Sequence, residues 1–266
     1  MCANYVPVTA THRLLQYFGV VGGASQIEED VFPMGLAPFI RRAVSDEPDG
    51  EGDLTPGSAA NRLLATGIFR FVPDFVAKVE WARRTYNARS ETVAEKGTFR
   101  AAWAAGQRCI IPAEAIYEPN YESGEPVRWR IAKASGLPMG IAGIYTAWTN
   151  PEGKEVFAMS MLTVNADDHP FMKRFHAPGH EKRMVVILET GDFDGWLSSS
   201  VGEARDRYCK PWTGELEGVP APLPTRIKII DSASVSKPNA PTGAKTKATP
   251  KPKPPTPPAP LNGELF

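Results

Sequence analysis

Three neighbouring segments decide the fold: VRWRIAK from Val127 to Lys133, GIAGIYT from Gly140 to Thr146, and FAMSMLTV from Phe157 to Val164. Each segment is short and rich in apolar or β-branched residues, as β-strands are. The intervals between them are too short for a helical crossover, so successive strands are expected to run antiparallel. The stretch therefore predicts a largely antiparallel sheet.

Outward from this stretch, the pattern is typical of the α+β class rather than of a doubly wound fold, because strands outnumber helices in the second half. Further strands are predicted at Arg183–Glu189 and Arg226–Asp231. Gly22–Gly57 has little periodicity and is expected to form a long surface excursion. Short helices are predicted at Thr11–Phe18, Ser58–Ala65, Thr98–Ala105 and Asp192–Leu197.

Composition divides the chain into a folded part and a tail. The 266 residues are 42% hydrophobic and 23% charged, which is ordinary for a globular protein. From Lys237 to Pro260 there is no aromatic or large aliphatic residue, so this stretch cannot bury enough apolar surface to offset the cost of ordering. We expect a single catalytic domain over residues 1–231 and a disordered, Lys/Pro/Ala-rich tail over residues 232–266.

Simple features exclude several classes of protein. No apolar run reaches about 18 residues, so a membrane span is not expected, and the N-terminus lacks the regions of a secretory signal. The cysteines, Cys2, Cys109 and Cys209, are odd in number and far apart, which argues against a disulfide framework and a zinc site. We therefore expect a cytoplasmic monomer without cofactor or metal. Because the formal net charge is +0, binding to nucleic acid would require a local basic surface.

Cys2 is the most informative single residue. Removal of Met1, which a small second side chain permits, would leave a thiol and an α-amine on adjacent carbons. Their ordinary pKa values, about 8.5 and about 7.7–8.0, place both groups near their reactive forms at neutral pH. Such an aminothiol condenses with an aldehyde to a Schiff base, and the sulfur then closes a thiazolidine ring. A cysteine at position 2 is by itself more often an accident than a nucleophile, so other motifs must support this interpretation.

Several motifs accompany the cysteine. The polar stretch YNARSET, from Tyr86 to Thr92, lies between hydrophobic segments. Downstream come RCIIP at 108–112, AIYEP at 115–119 and FHAPGHEKRM at 175–184. With the N-terminal Met-Cys, these motifs in this order resemble the SRAP family, whose name stands for SOS-response-associated peptidase. The resemblance covers residues 1 to about 231, and NARSET is its most specific part. It implies that the antiparallel sheet is barrel-like, with short flanking helices.

The resemblance implies a function and a set of catalytic residues. Members of the family bond covalently to abasic sites in single-stranded DNA, through a thiazolidine formed by the N-terminal cysteine. By position, Cys2 is the nucleophile, Asn87 holds the Cys2 backbone and the opened sugar, and Glu118 handles protons at the amine and the sugar oxygen. His176 is a second acid–base group that helps to open the sugar ring. Bound to DNA, the protein would be associated with the nucleoid.

The expected DNA contacts follow from the same resemblance. Arg89 and Arg183 match positions near DNA phosphates, which guanidinium groups bind in a bidentate manner. Where family members often have tryptophans, this chain has Phe69 and Phe75, which are candidates either for stacking on a base or for the core. The family usually begins Met-Cys-Gly-Arg, whereas this chain begins Met-Cys-Ala-Asn and lacks that arginine. Arg70 is a candidate replacement for the missing charge.

The sequence leaves alternatives open. A different placement of the short insertion between His176 and His180 would make His180 the catalytic histidine. Their spacing also suits metal ligands on a helix, but Pro178 and Gly179 oppose a helix. For function, the alternatives are an N-terminal-nucleophile cysteine peptidase or amidohydrolase, and a non-covalent single-strand-binding module. Turnover of a peptide or amide would indicate the first, and full activity of Cys2→Ala would indicate the second.

The C-terminal end carries a separate signal. After the long stretch without large apolar residues, the chain ends LNGELF. The last residues resemble the short Leu-Phe-ending motif through which bacterial repair proteins bind the replication sliding clamp, although Asn262 and Gly263 depart from it. Leu265 and Phe266 are the expected contact residues on a flexible tether, and an end without a partner is the alternative.

Overall fold

The computed structural model describes residues 2–23, 27–43, 61–71, 85–149 and 152–223, and all of them belong to one compact unit, Met1–Pro224. The predicted strand Arg226–Asp231 and the predicted tail lie outside the described residues, so the domain boundary at residue 231 stays a prediction. Within the described ranges, no helix has the length and apolarity that crossing a membrane requires.

Strands dominate these residues, and the helices are short. The described strands are β1 (Asn4–Pro7), β2 (Leu36–Arg42), β3 (Arg62–Phe69), β4 (Asn87–Arg89), β5 (Arg108–Asn120), β6 (Val127–Lys133), β7 (Met139–Thr149), β8 (Glu155–Asn165), β9 (Arg183–Val185), β10 (Ile187–Leu188) and β11 (Leu216–Pro220). The described α-helices are α1 (Thr11–Phe18), α2 (Arg100–Ala104), α3 (Phe193–Ser198) and α4 (Val201–Glu203). Short 3-10 turns lie at Met172–Arg174 and Thr190–Asp192, and a π-helical turn lies at Ala204–Tyr208.

Five strands of the sheet close into a barrel. β7, β8, β3, β2 and β5 are hydrogen-bonded in that order, and β5 pairs again with β7. The three segments that decide the fold form β6, β7 and β8, and β7 runs antiparallel to β8. The α+β class and the barrel-like sheet are thus confirmed. β3 and β4 both run parallel to β8, so the sheet is antiparallel only for the most part.

Two sequence predictions for the first half are wrong. A helix is predicted at Ser58–Ala65, but Arg62–Phe69 is strand β3, which pairs with β2 from Arg62 to Ile68. The middle of the predicted surface excursion Gly22–Gly57 forms β2, whose central residues are buried. Both errors have the same cause. The two strands stabilise each other by pairing, and a short stretch of sequence does not show which distant segment it pairs with. A strand buried on both faces also lacks the alternation of polar and apolar residues that would reveal it.

The N-terminal strand β1 is built into this sheet. It pairs antiparallel with β5, where Tyr5 lies opposite Ile116. On its other side, Tyr5 exchanges backbone hydrogen bonds with Val31, at 3.1 and 2.9 Å. The Tyr5 side chain is fully buried and meets Phe69 edge to face, with ring centroids 5.1 Å apart. The chain is therefore fixed to the barrel within a few residues of its N-terminus.

A substitution at Gly143 in β7 would test how closely the barrel strands pack around this position. A Cβ atom there would lie 2.8 Å from the Ser160 carbonyl oxygen, 2.9 Å from the Cys109 sulfur and 3.0 Å from Ile111 Cδ1. Gly143→Ala should lower the free energy of unfolding by about 1–3 kcal/mol, as overpacking a core does, and thermal denaturation should show a lower midpoint. Gly97→Ala is the matched control, since its Cβ would meet nothing within 4 Å. Equal midpoints for the two variants would contradict this packing.

Candidate active site

Cys2 is fully buried and lies two residues before the start of β1. Its thiol donates a hydrogen bond to the carbonyl oxygen of Asn4 at 3.3 Å. Asn4 lies opposite Tyr117 in the antiparallel pair of β1 and β5. Because the two strands are antiparallel, the chain before Asn4 runs alongside the part of β5 that follows Tyr117. Cys2 is therefore close enough to Glu118 for the carboxylate to affect its thiol.

Asn87, the first residue of β4, fixes the backbone of Cys2. Its Nδ2 donates to the Cys2 carbonyl oxygen at 2.8 Å. The side chain is buried, and Asn87 lies opposite Met161 of the barrel strand β8. Its Oδ1 has no hydrogen-bond partner among the described residues. A buried acceptor therefore lies next to the backbone of Cys2.

Glu118 and His176 form a buried pair of acid–base groups. Glu118 Oε2 lies 3.0 Å from His176 Nε2, and the two side chains are 1% and 9% exposed. The backbone N–H of His176 donates a hydrogen bond to the Pro119 carbonyl oxygen at 2.8 Å. This bond joins the loop after β8 to β5. His176 has a left-handed backbone with φ 65°. This conformation is uncommon for a residue other than glycine, and it persists where the surroundings hold it.

His180 does not take part in this contact. Its side chain is exposed, and its backbone N–H closes a turn on the Ala177 carbonyl oxygen at 3.2 Å. Of the two histidines, the structure brings His176 to Glu118. The geometry therefore favours the placement of the insertion that makes His176 the acid–base residue.

Burial governs the chemistry of the thiol. It raises the pKa of Cys2 far above the usual range of a thiol, and the nearby Glu118 carboxylate raises that pKa further. With Met1 present, burial therefore disfavours the thiolate, whereas the sequence prediction concerns Cys2 after removal of Met1. The sulfur is neutral in this environment and needs a base before it can attack.

Tyr86 opens the YNARSET stretch, but the sequence predicts no role for it at the site. Burial raises the pKa of its hydroxyl, with smaller effects in the same direction from Cys2 and Glu118, so the hydroxyl belongs to the same cluster. Its ring packs against Phe69, with centroids 5.7 Å apart. The signal that would have found it is its position directly before Asn87.

Arg89 and Arg183 lie in a cluster with two carboxylates. Arg183 is 2% exposed and donates to Glu91 at 3.1 and 2.8 Å, to Glu181 at 2.6 Å and to the Thr163 carbonyl oxygen at 2.7 Å. The Arg89 side chain is 50% exposed and pairs with Glu181 at 2.7 Å. The expected phosphate contact of Arg183 does not fit its burial, because carboxylates already bind its guanidinium. Arg89 is the arginine of the cluster that reaches the surface.

Phe69 and Arg70 are both buried, and for Phe69 this is the core position that the sequence left open as an alternative. Phe69 is fully buried, so in this conformation it is a core residue and has no face free for a base. Arg70 is 9% exposed, and burial lowers the pKa of its guanidinium. Phe75 lies outside the described residues. The guanidinium beside Asn4 belongs to Arg128, whose Nε lies 3.5 Å from Asn4 Oδ1.

Comparison with known families and solved structures agrees with this architecture. The family model described as "SOS response associated peptidase (SRAP)" matches residues 1–221. A protein from Bordetella bronchiseptica is 36% identical with a TM-score of 0.72, and the match covers 84% of this chain and 100% of that chain. A protein from Bacteroides thetaiotaomicron, 20% identical with a TM-score of 0.62 over 82% of this chain and 90% of the other, shares the fold.

Curated relatives carry more specific names. Abasic site processing protein YoaM of Bacillus subtilis is 30% identical over 140 residues, which are 52% of this chain and 58% of the relative. Abasic site processing protein HMCES of Xenopus tropicalis is 25% identical over 152 residues, which are 49% of this chain and 43% of the relative. The chain thus spans about half the length of these relatives.

Thiol alkylation tests the coupling between Cys2 and Glu118 without DNA. Iodoacetamide reacts with the thiolate, so the raised pKa should make Cys2 at least roughly ten times less reactive than a free cysteine at neutral pH. Glu118→Gln removes a charge that raises this pKa, and alkylation of Cys2 at a fixed pH should become faster. Mass mapping of the alkylated peptides would follow each cysteine separately.

Cys109 is the internal control for this experiment. It is buried, and burial alone raises the pKa of its thiol. Equal acceleration at Cys2 and Cys109 would indicate a loosened fold, and no acceleration at Cys2 would contradict the coupling to Glu118.

Proposed function

The chain belongs to the SOS response associated peptidase family, and we propose that it captures abasic sites in single-stranded DNA through a covalent bond to Cys2. The observation that carries the proposal is the buried cluster in which Cys2 meets Asn87 and Glu118, with His176 in contact with Glu118. Relatives named as abasic site processing proteins support the class of substrate. Removal of Met1 is part of the proposal, because it frees the α-amine of Cys2.

The proposed reaction condenses the aminothiol with an aldehyde. In its ring-opened form, the abasic sugar presents carbon C1′ as an aldehyde. The Cys2 amine adds to this carbon and water leaves, which gives a Schiff base. The sulfur then adds to the same carbon, the thiol proton passes to the nitrogen, and a thiazolidine closes. One water molecule is released overall, and no oxidant or reductant is needed.

The surrounding side chains fit the proton transfers of this sequence. The neutral thiol requires a base, and the Glu118 carboxylate lies beside it. His176, 3.0 Å from Glu118, can relay a proton towards the sugar oxygen as the ring opens. Asn87 holds the Cys2 carbonyl group, and its unpaired Oδ1 would accept a hydrogen bond from the freed α-amine. Arg89, on the same strand as Asn87, would contact a phosphate.

A peptidase or amidohydrolase is the second candidate function, and the description of the family itself favours it. Cys2 would then attack a carbonyl carbon, with its own α-amine as base, and hydrogen-bond donors would have to stabilise the oxyanion. The product separates the two candidates, since one yields a stable DNA adduct and the other yields turnover.

The crosslink is the first expected outcome. The full chain without Met1, incubated with a single-stranded oligonucleotide that carries an abasic site, should give an adduct that persists on a denaturing gel. Cys2→Ala should abolish it, and so should retention of Met1, which keeps the α-amine in a peptide bond. An undamaged oligonucleotide is the matched control and should give no adduct. Undiminished crosslinking by Cys2→Ala would refute the role of Cys2.

The two histidines provide a matched test of the acid–base roles. His176→Ala should slow adduct formation by up to roughly 10²-fold, the scale of losing a general acid–base group. His180→Ala should change the rate little, because His180 is exposed and outside the pair with Glu118. Asn87→Ala and Glu118→Gln should also slow the reaction, measured as single-turnover rates on folded protein. If His180→Ala slows adduct formation strongly and His176→Ala does not, His180 is the acid–base residue and His176 is not.

The C-terminal residues support a separate proposal, on sequence alone. We propose that Leu265 and Phe266, which lie outside the described residues, bind the replication sliding clamp and deliver the domain to stalled forks. A synthetic peptide of the last ten residues should bind purified bacterial clamp with micromolar affinity in a calorimeter. The same peptide with both residues replaced by alanine is the control and should not bind. Absence of binding by the parent peptide at high concentration would remove this partner and leave the role of Cys2 untouched.

A further inference from the structure

We infer that Glu181 sets the selectivity of the proposed DNA site for abasic over undamaged DNA. Its carboxylate forms an ion pair with Arg89, whose guanidinium would otherwise bind a DNA phosphate. This inference rests on the proposed function and deepens it. It names a residue that determines how strongly undamaged DNA competes with abasic sites.

Arg89 lies on the same short strand as Asn87, the residue that holds the Cys2 backbone. Asn87 and Arg89 are two residues apart on β4, so their side chains project from the same side of the strand. Asn87 is bonded to the Cys2 carbonyl oxygen, whereas the Arg89 side chain is 50% exposed. A strand of DNA with its abasic sugar at Cys2 would therefore have a phosphate within the range of Arg89.

Glu181 is held as a fixed carboxylate between two guanidinium groups. Its Oε1 accepts from Arg183 at 2.6 Å and from Asn165 Nδ2 at 3.2 Å, while its Oε2 lies 2.7 Å from Arg89 NH1. The hydrogen bond from Arg183 lowers the pKa of Glu181, so the carboxylate is ionised at neutral pH. Its geometry makes it an internal substitute for phosphate oxygens at Arg89.

Arg183 does not depend on Glu181 alone. Glu91 already binds its guanidinium through both oxygens, at 3.1 and 2.8 Å, and the Thr163 carbonyl oxygen accepts at 2.7 Å. The formal charges of the cluster, two arginines and two glutamates, cancel. In contrast, the ion pair that Arg89 makes within the described residues is the one with Glu181.

This arrangement weakens reversible binding more than it weakens capture. Glu181 already offsets the charge of Arg89 and takes one of its N–H donors, so each non-covalent encounter with undamaged DNA loses part of its Coulombic gain. At an abasic site the covalent bond to Cys2 retains the strand once it has formed. Glu181 therefore favours damaged over undamaged DNA without touching the reacting atoms.

The test measures affinity for undamaged single-stranded DNA by fluorescence anisotropy over a salt series. Glu181→Gln, in the full chain, should bind roughly two- to fivefold more tightly, the scale of losing one partly exposed ion pair. The slope of log affinity against log salt should steepen by up to about one, because Arg89 can now engage a phosphate. In an Arg89→Ala background, the same change should have no effect.

The control variant is Glu122→Gln, which also removes a carboxylate, here one that binds Arg174 through two contacts of 2.9 Å. Equal tightening by Glu122→Gln, or tightening by Glu181→Gln that persists without Arg89, would show a general charge effect and overturn the inference. Unchanged affinity of a folded Glu181→Gln would overturn it as well. If that variant does not fold, Glu181→Asp keeps a charge near Arg183 with a shorter reach and should tighten binding to a smaller extent.

Crosslinking separates this inference from the proposed function. At saturating protein, parent and Glu181→Gln should give equal adduct with an abasic oligonucleotide, and undamaged DNA should inhibit the variant at a lower concentration. If the parent crosslinks, but undamaged DNA inhibits the parent and Glu181→Gln at the same concentration, the role of Glu181 alone is overturned. A parent that neither binds nor crosslinks would overturn both.

Discussion

The antiparallel pairing of β1 with β5 is the constraint on which the candidate site depends. A cysteine at the start of a free arm would have an ordinary thiol with no fixed neighbours. Pairing buries Cys2, places it against Glu118 and lets Asn87 hold its carbonyl oxygen at 2.8 Å. Burial makes the thiol a poor nucleophile by itself. Its reactivity in the proposed reaction is therefore conditional on a base that the same strand pairing supplies.

Much of the fold could be predicted because its signals are local. β6, β7 and β8 are apolar segments that sequence windows detect, and α1 begins and ends as predicted. β3 and β2 escaped prediction because each is stabilised by the other across a long interval of chain. The motifs also named side chains that the structure brings together, namely Cys2, Asn87, Glu118 and His176. Their order along the chain carried that information, although it could not give distances.

Burial and charge pairing could not be predicted from the same motifs. Arg183 matches a position expected at DNA, yet it is enclosed by carboxylates. Phe69 lies in the core, and the sequence could not decide between that position and a contact with a base. A motif specifies the type of a residue, whereas exposure depends on every element packed around it. Tyr86 shows the converse, since its relation to Cys2 and Glu118 appears only when β4 is placed beside β8. Surface exposure therefore has to be known before an arginine or an aromatic residue is assigned to DNA.

The seating of β1 has a mechanical consequence. In the proposed adduct, DNA is attached at Cys2, two residues before β1. In that strand, Tyr5 is hydrogen-bonded to Val31 on one side and paired with Ile116 on the other. Tension on the DNA, such as an enzyme moving along it would apply, enters the protein through Cys2. It passes directly into the hydrogen bonds that hold β1 to Val31 on one side and to β5 on the other. The covalent link and the barrel then bear load in series, so the weaker of the two determines what yields. An enzyme that extracts β1 would unfold the domain from its N-terminus and leave the chemical bond intact.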